Sequence, residues 1–323
     1  MARHEILLDS GTNEVELAEF VLSNNHFGVN VAKIREFIPL EGLTITSMPG
    51  QPPSIAGVFL LRGRSIPLLD LGAYLGLPQN PDAHKRVVVV TEFNKLTSAF
   101  IADHIQRIHR VSWSDFCPLN HYLAATNPLV TGSVSLGGKE VLVLDLESIV
   151  GDIFPESVIN YDESVQEEPS LQQQRGGCRI FFAEDSAVIR SKVSRMLASV
   201  GYEGVSTFDN GLEALEAIKN VAAQAQGEGR ALGDYVSLVL TDIEMPQMDG
   251  LTLCRQVKQD LRLPLPVIIF SSLINQQMAA KCQKVGAEAF ASKPETERLL
   301  ALIDHFCLGT PAPDEGGVPR AGL

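Results

Sequence analysis

The sequence lacks any apolar run long enough to cross a lipid bilayer, since Pro, Ser or a charged residue interrupts every candidate. A membrane-spanning helix needs about 20 consecutive apolar residues. The first residues, MARHE, also lack the apolar core of a secretory signal. These two absences predict a cytoplasmic protein that does not insert into a membrane.

Closely spaced cysteines are absent as well. Disulfide frameworks and zinc sites need close or regular spacing, but the chain has five scattered cysteines and no C-x-x-C motif. We therefore expect free, mostly buried thiols at Cys117, Cys178, Cys254, Cys282 and Cys307.

Basic residues are in the minority. The chain has 26 Lys and Arg against 39 Asp and Glu, which gives a formal net charge of −13. This balance repels a nucleic-acid backbone, and no local basic patch offsets it. The composition predicts no nucleic-acid partner. The acidity either serves solubility alone or steers a partner, and the sequence favours neither interpretation.

The length and composition favour two folded domains. A chain of 323 residues that is 45% hydrophobic has room for two domains of about 100–200 residues each. Residues 155–177, PESVINYDESVQEEPSLQQQRGG, are acidic, rich in Gln and poor in apolar periodicity, as is typical of a linker. We predict an N-terminal extension (1–13), a first domain (14–154), an acidic linker (155–177), a second domain (178–308) and a disordered tail (309–323).

The first domain has the pattern of an all-β fold. Short alternating apolar stretches flank polar turns, which is the signal of a β-hairpin. The pairs are 15–22 with 27–31, 57–61 with 65–71, and 130–136 with 140–146, with further strands at 86–91 and 96–102. Many short strands at this spacing favour two small β-barrels, which avoid exposed sheet edges by closing.

The second domain alternates short apolar runs with longer stretches of helical spacing. The runs are 179–183, 235–240 and 266–270, and the helical stretches are 186–200, 211–221, 251–260 and 274–285. Buried strands that alternate with helices predict a doubly wound parallel α/β sheet. We expect residues 222–233, AAQAQGEGRALG, to form a solvent-exposed loop.

Polar residues follow the apolar runs of this second domain. Glu184 and Asp185 follow the first run, Asp242 the second, Ser271 the third, and Lys293 a last run at 288–292. Ligands bind at the carboxyl ends of such strands, where clustered carboxylates repel each other unless a cation or proton intervenes. Mg²⁺ suits a small site of this kind. The metal and Lys293 would neutralise an incoming phosphoryl group, which a carboxylate can carry as an acyl phosphate.

Each of these residues has a simpler interpretation when it is taken alone. Glu184 and Asp185 would cap the following helix, Ser271 would sit in a turn, and Lys293 would be a solvated surface charge. Chance seldom places all of them at successive strand ends, so their conjunction favours the site.

Four motifs here match one known family: FFAED, LVLTDIEMPQMDG, PVIIFSS and GAEAFASKP. Residues 179–306 resemble a response-regulator receiver domain, which implies that Asp242 accepts a phosphoryl group from a histidine kinase. The resemblance implies several further roles. These are Mg²⁺ binding by Asp185, Asp242 and the Glu244 backbone carbonyl, with Glu184 beside them, phosphoryl binding by Ser271 and Lys293, and a switch of rotamer at Phe290.

Two details depart from the commonest receiver pattern. Ser271 stands where Thr is more frequent, and Ser272 where Ala is usual, but the hydroxyl is retained. Glu244 places a charged side chain at the mouth of the site, where we expect it to alter the lifetime of the acyl phosphate.

The first domain contains FGVNVAKIREFI, TITSMPGQPPSIAGVFLLRGRSIPLLDLGAYLGLP and SVSLGGKEVLVLDLES. With these segments, residues 14–151 resemble a CheW-type coupling domain, although the family often has Asn at the position of Leu60. The resemblance implies two small β-barrels that bind chemoreceptor signalling tips and a related domain of the kinase. Arg62 is a candidate partner contact, and a plain polar hairpin turn is the alternative.

The two domains in this order resemble CheV-type chemotaxis proteins. The resemblance implies an adaptor that couples chemoreceptors to a histidine kinase, is tuned by phosphorylation of Asp242, and is recruited from the cytoplasm to membrane-bound receptor arrays. No catalysis on an external substrate is expected, although the receiver would dephosphorylate itself. Three alternatives stay open: a phosphate sink that drains the kinase, a receiver that is no longer phosphorylated, and an aspartate-nucleophile phosphotransferase, whose usual second Asp is replaced by Glu244.

Overall fold

The structure is a computed structural model that describes residues 13–80, 85–94, 96–119, 123, 127, 129–155 and 169–313. The chain divides into two compact units. The first comprises residues 15–149, and the described part of the second comprises residues 13–14, 150–155 and 169–313. The predicted N-terminal extension up to residue 12, linker residues 156–168 and tail residues 314–323 lie outside the described residues.

Two six-stranded sheets form the first unit, in the orders β10-β11-β12-β2-β1-β9 and β3-β7-β8-β6-β5-β4. The elements are β1 (Glu14–Leu22), β2 (Asn25–Asn30), β3 (Ile34–Pro39), β4 (Ile45–Thr46), β5 (Ile55–Leu61), β6 (Arg64–Leu69), α1 (Leu71–Tyr74), β7 (Val87–Phe93), β8 (Leu96–Ala102), β9 (His104–Ser112), β10 (Cys117–Pro118), β11 (Val130–Leu136), β12 (Lys139–Leu144) and α2 (Leu146–Ile153). Short 3₁₀ turns lie at Val31–Lys33 and Trp113–Asp115.

Each of the two sheets contributes a hydrophobic cluster of its own. One contains Trp113, Phe116 and Val141, and the other contains Phe59 and Leu68. The predicted hairpins are present as the antiparallel pairs β1–β2, β5–β6 and β11–β12. The expectation of an all-β first domain is therefore confirmed.

One parallel five-stranded sheet forms the second unit, in the order β14-β13-β15-β16-β17. The elements are α3 (Pro169–Arg175), β13 (Arg179–Ala183), α4 (Ala187–Ser199), β14 (Gly204–Phe208), α5 (Gly211–Glu228), β15 (Leu238–Thr241), α6 (Gly250–Arg255), β16 (Val267–Ser271), α7 (Gln276–Val285), β17 (Ala289–Ser292) and α8 (Thr296–Leu308). A π-helical turn at Gln256–Asp260 extends α6.

The central strands of this sheet are buried on both faces, which is why they are apolar without interruption. Ile180 and Leu238 pack on one face with residues of α4 and α8. Phe181, Val239 and Ile269 pack on the other face with residues of α5, α6 and α7. The predicted parallel α/β sheet is thus confirmed.

Side-chain caps start four of the helices that follow the strands. The Ser186 hydroxyl accepts from the Ile189 amide at the start of α4, and the Asn210 side chain accepts from the Glu213 amide at the start of α5. Asp249 and Asn275 cap α6 and α7 in the same way. Caps satisfy amides that would otherwise be unpaired, and they fix where each of these four helices begins.

The structure differs from the expected loop at residues 222–233. Helix α5 continues through Glu228 and ends at Gly229, whose φ of 64° is the left-handed conformation of a helix C-terminus. The Ala and Gln residues of this segment favour a helix intrinsically. A short connection therefore remains before β15.

The structure also differs from the linker prediction at its C-terminal end, where residues 169–175 form α3. Arg175 is 1% exposed and binds the Asp304 carboxylate of α8 through Nε at 2.8 Å and Nη2 at 2.6 Å. Its Nη1 donates to the Val200 carbonyl at 3.0 Å. Helix α3 is thus anchored in the second unit by a buried ion pair.

Tyr202 completes this buried cluster. Its hydroxyl donates to Asp304 at 2.7 Å, and the Arg175 guanidinium lies over its ring. Burial, together with the hydrogen bond to Asp304, raises the pKa of Tyr202. We call Arg175, Tyr202 and Asp304 the arginine clamp.

All five cysteines are free thiols, as expected, and three of them are buried. Burial raises the pKa of Cys254 and of Cys282 to about 12. Among the described residues, no helix has the length and apolarity needed to span a membrane.

Replacement of Asp304 by Asn tests the arginine clamp. Breaking a buried ion pair from one side leaves an uncompensated buried charge, so we expect the free energy of unfolding of the second unit to fall by about 3 kcal/mol. Because the single tryptophan, Trp113, lies in the first unit, unfolding is best followed by far-UV circular dichroism in urea. Asp260→Asn is the control, since the Arg255–Asp260 pair is half exposed and 3.8 Å long, and it should cost less than about 1 kcal/mol. Equal effects would contradict a stabilising clamp.

Candidate functional site

Four strand ends of the parallel sheet place charged or hydroxyl side chains at one edge. Glu184 follows β13, Asp242 follows β15, Ser271 ends β16 and Lys293 follows β17. All four are almost fully buried, with exposures between 0% and 2%. Asp185, next to Glu184, is half-buried. The charged residues singled out in the sequence therefore meet at this edge.

The three carboxylates form a tight cluster. Glu184, Asp185 and Asp242 each offer an oxygen, and these oxygens lie within 4.8 Å of one another. Lys293 Nζ lies 2.9 Å from Asp242 Oδ2 and 3.1–3.2 Å from the two oxygens of Glu184. The three carboxylates and this one ammonium leave a formal surplus of two negative charges.

Register places Ser271 at the same edge of the sheet as this cluster, and Phe290 lies on the next strand. Thr241 pairs with Ile269 on the neighbouring strand, so Asp242 and Ser271 emerge from adjacent strands at the same edge. Phe290, paired with Ile269 from the other side, is half-buried against the core.

Backbone contacts hold the loop that follows Asp242. The Ile243 amide donates to Asp242 Oδ1 at 2.6 Å, and the Thr241 hydroxyl donates to the Asp242 carbonyl at 2.9 Å. The Gly250 amide returns to the Ile243 carbonyl at 3.0 Å. A Cβ at Gly250 would lie 1.8 Å from the Asp242 carbonyl oxygen, so only glycine fits where the loop closes. Half-buried Glu244 lies within this loop.

Asp249 has a structural place in the same loop. Its carboxylate accepts from the Thr252 amide at 2.7 Å and from the Thr252 hydroxyl at 2.8 Å, which caps α6. Burial raises the pKa of Asp249, although these hydrogen bonds act against the rise.

Reasoning from the sequence missed Arg190, which lies in the first turns of α4. Its Nη1 donates to the backbone carbonyl of Glu184 at 2.5 Å and to that of Asp185 at 3.3 Å. Its Nη2 lies 2.7 Å from an Asp209 carboxylate oxygen. An arginine five residues after an acidic pair is too common a pattern to have identified this contact.

The donor atoms at the cluster are suited to a hard divalent cation. Carboxylate oxygens are the ligands that Mg²⁺ prefers, and Mg²⁺ commonly uses one or two carboxylates while it keeps several waters. A dication would balance the surplus of two negative charges at Glu184, Asp185, Asp242 and Lys293. The residues present therefore fit Mg²⁺.

Arg62 lies far along the chain from this cluster, in the turn between β5 and β6. It adopts a left-handed φ of 49°, and its side chain is 66% exposed. Its Nη2 pairs with Glu36 Oε2 at 3.0 Å, and Leu60 beside it is 69% exposed. The role of Arg62 as a partner contact stays a prediction.

Comparisons with known proteins match each unit to a family. Residues 16–154 match the CheW-like domain, and residues 180–304 match the response regulator receiver domain. Over 315 residues, the chain is 29% identical to chemotaxis protein CheV3 of Helicobacter pylori, covering 92% of this chain and 96% of that protein.

Two solved structures are also similar. The scaffolding protein TtCheW from Thermoanaerobacter tengcongensis is 20% identical, with a TM-score of 0.38, and the match covers 41% of this chain and 88% of that one. The receiver domain of the histidine kinase CKI1 from Arabidopsis thaliana, complexed with Mg²⁺ and BeF₃⁻, is 23% identical, with a TM-score of 0.37, and the match covers 44% of this chain and 94% of that one.

The surplus of negative charge predicts that Asp242→Asn stabilises the metal-free protein. The change removes one of three mutually repelling carboxylates, while Lys293 keeps Glu184 as a partner. We expect the free energy of unfolding of the second unit to rise by about 1 kcal/mol, within the range typical of stabilising substitutions. The measurement is urea unfolding in a buffer with a chelator. Asp304→Asn, the same chemical change in the arginine clamp, should act in the opposite direction, and a loss of stability in both variants would contradict the charge argument.

Proposed function

The chain belongs to the CheV-type proteins, in which a CheW-like domain is joined to a response regulator receiver domain, and we propose that phosphorylation of Asp242 tunes how it couples chemoreceptors to a histidine kinase. One observation carries the proposal. The cluster of Glu184, Asp185, Asp242 and Lys293 is complete in a chain that also contains the CheW-like domain.

In the proposed reaction, Asp242 takes the phosphoryl group from a phosphohistidine of the kinase. An oxygen of the Asp242 carboxylate forms a bond to phosphorus as the bond from phosphorus to the histidine nitrogen breaks. That nitrogen keeps the electron pair and takes up a proton, and Asp242 becomes an acyl phosphate. The carboxylate is pre-oriented for this step, because the Ile243 amide holds Oδ1 at 2.6 Å.

The cation would be held by the carboxylates of Asp185 and Asp242 and by the backbone carbonyl of Glu244, with Glu184 as the neighbouring acid. When bound, Mg²⁺ supplies positive charge that offsets the negative charge on the transferring phosphoryl oxygens. Glu184 is 0% exposed and helps to keep Lys293 in place.

Lys293 and Ser271 would bind the phosphoryl oxygens. Lys293 is already 2.9 Å from Asp242, so a phosphoryl group on that carboxylate arrives within reach of the ammonium. The Ser271 hydroxyl would donate to a second oxygen, and its displacement would change the space next to Phe290. A local gain of charge thereby selects between two packing arrangements of the receiver.

The CheW-like domain supplies the other half of the proposed function. We propose that it binds the cytoplasmic tips of chemoreceptors and the histidine kinase, with Arg62 among its contacts. The protein would work in the cytoplasm and collect at membrane-bound receptor arrays. It would transform no external substrate, since the phosphoryl group ends on its own aspartate until water removes it.

The chemistry is tested by phosphoryl transfer from a phosphorylated chemotaxis histidine kinase. We expect label to appear on the wild-type protein only with Mg²⁺, and a loss of at least about 100-fold in Asp242→Ala because the nucleophile is gone. Asp260→Ala, at an exposed carboxylate at the end of the π-helical turn, is the matched control and should accept label normally. Undiminished labelling of Asp242→Ala would contradict the assignment.

The output is tested by kinase activity in reconstituted arrays of receptor, kinase and this protein. If phosphorylation tunes coupling, Asp242→Ala should lock the arrays at the level of the unphosphorylated adaptor. A variant that leaves receptor control of the kinase unchanged, while the wild-type protein still drains phosphoryl groups, would instead indicate a phosphate sink.

Arg62→Ala tests the partner contact. An exposed arginine in a rigid turn that anchors an interface typically contributes at least about 1.4 kcal/mol, or tenfold in affinity. We expect co-sedimentation with receptor–kinase assemblies to weaken by about that factor, with an unchanged circular dichroism spectrum. Arg64→Ala removes an exposed arginine from the same hairpin and should have little effect. Equal losses in both variants would indicate a general effect of positive charge, against a specific contact at Arg62.

A further inference from the structure

Arg190 joins two loops at the edge of the parallel sheet where the carboxylates cluster. It donates to the backbone carbonyls of Glu184 and Asp185, which lie in the loop between β13 and α4. It also pairs with Asp209, which lies in the loop between β14 and α5. The Arg190 side chain is 20% exposed, whereas Asp209 is 69% exposed.

The two carbonyls belong to the residues whose carboxylates approach Asp242. Holding a carbonyl restricts the backbone dihedrals on either side of it, and these dihedrals set the direction in which the side chain leaves the chain. A planar guanidinium can satisfy several acceptors in one fixed geometry. Arg190 therefore restrains both acidic residues without touching their carboxylates, while the Ser186 amide contacts Glu184 Oε1 at 3.3 Å.

We propose that Arg190 is a positioning residue for the divalent cation, which pre-organises Glu184 and Asp185 through their backbone carbonyls and uses Asp209 as its own anchor. The inference rests on the proposed function, since it concerns the Mg²⁺ site of the receiver. It adds to that function a residue outside the carboxylate cluster that sets how tightly the cation binds.

A purely electrostatic role would have the opposite sign. A positive charge near the site repels a dication, so its removal would tighten Mg²⁺ binding. Asp209 at 2.7 Å largely offsets the charge of Arg190, which leaves the restraint of the backbone as the main effect. The direction of the change in affinity therefore separates the two roles.

The test is the Mg²⁺ dissociation constant of the full-length protein, measured by isothermal titration calorimetry. Partners that orient metal ligands typically contribute about 10-fold or more to metal affinity, so we expect Arg190→Gln to weaken Mg²⁺ binding about tenfold. Arg190→Lys should weaken it nearly as much, because an ammonium keeps the charge but loses the planar fork. Unchanged or tighter binding in Arg190→Gln would overturn the proposal.

Two further variants test the anchor and control for the loss of an arginine from α4. Asp209→Asn removes the exposed anchor, with little risk to folding, and should weaken Mg²⁺ binding by a smaller factor than Arg190→Gln does, since Arg190 keeps its contacts to the two carbonyls. Arg195→Gln alters an exposed arginine of the same helix, whose Nε contacts its own helix at Ser191, and should leave Mg²⁺ binding unchanged. If Asp209→Asn has no effect, or if Arg195→Gln acts like Arg190→Gln, the positioning role is wrong.

A second readout distinguishes positioning from damage to the fold. Saturating Mg²⁺ should restore phosphorylation of Arg190→Gln to near the wild-type rate, and the far-UV circular dichroism spectrum of Arg190→Gln without Mg²⁺ should match that of Arg195→Gln. A rate that stays low at saturating Mg²⁺ would refute the positioning role. Wild-type protein that binds no Mg²⁺ at all would refute the proposed function itself, which is a different outcome from normal binding in Arg190→Gln.

Discussion

The excess of negative charge at the edge of the parallel sheet is the constraint on which the second unit depends. Three carboxylates converge within 4.8 Å, and Lys293 offsets one of them. Such a cluster costs stability in the metal-free protein, and it persists because the surrounding sheet is buried on both faces. The same unfavourable electrostatics suit the proposed use of the site, in which a dication and then a phosphoryl group would change the local charge in large steps.

Parallel-sheet geometry explains why this cluster was predictable from the sequence. Each buried strand is a short apolar run, and the residue that follows it must emerge at the carboxyl edge. Glu184, Asp242 and Lys293 could therefore be assigned to one place from their position after such runs.

Two of the strands that escaped prediction have weak apolar signals. Strand β14, GVSTF, lies at the edge of its sheet and is half-exposed, and β9, HIQRIHRVS, is mostly exposed. Neither shows the continuous or alternating apolar pattern on which the other strands were recognised. The extension of α5 to Glu228 was missed for another reason, since Gly227 and Gly229 resemble loop residues and only the second ends the helix.

Two arginines mark the limit of reasoning from sequence in the second unit. Arg175 binds Asp304, which is 129 residues further along the chain, and Arg190 binds carbonyl groups that any residue would offer. Local patterns identify neither contact, because tertiary packing alone brings the partners together.

The contacts of the two arginines lie at opposite ends of helix α4. Arg190, in the first turns of α4, donates to carbonyls in the loop between β13 and α4. The Val200 carbonyl, at the C-terminal end of α4, accepts from Arg175. Val193, Met196 and Leu197 pack the helix against the hydrophobic core between these points. The loop between β13 and α4, which carries Glu184 and Asp185, therefore contacts one end of α4 through Arg190. Helix α3 contacts the other end through Arg175.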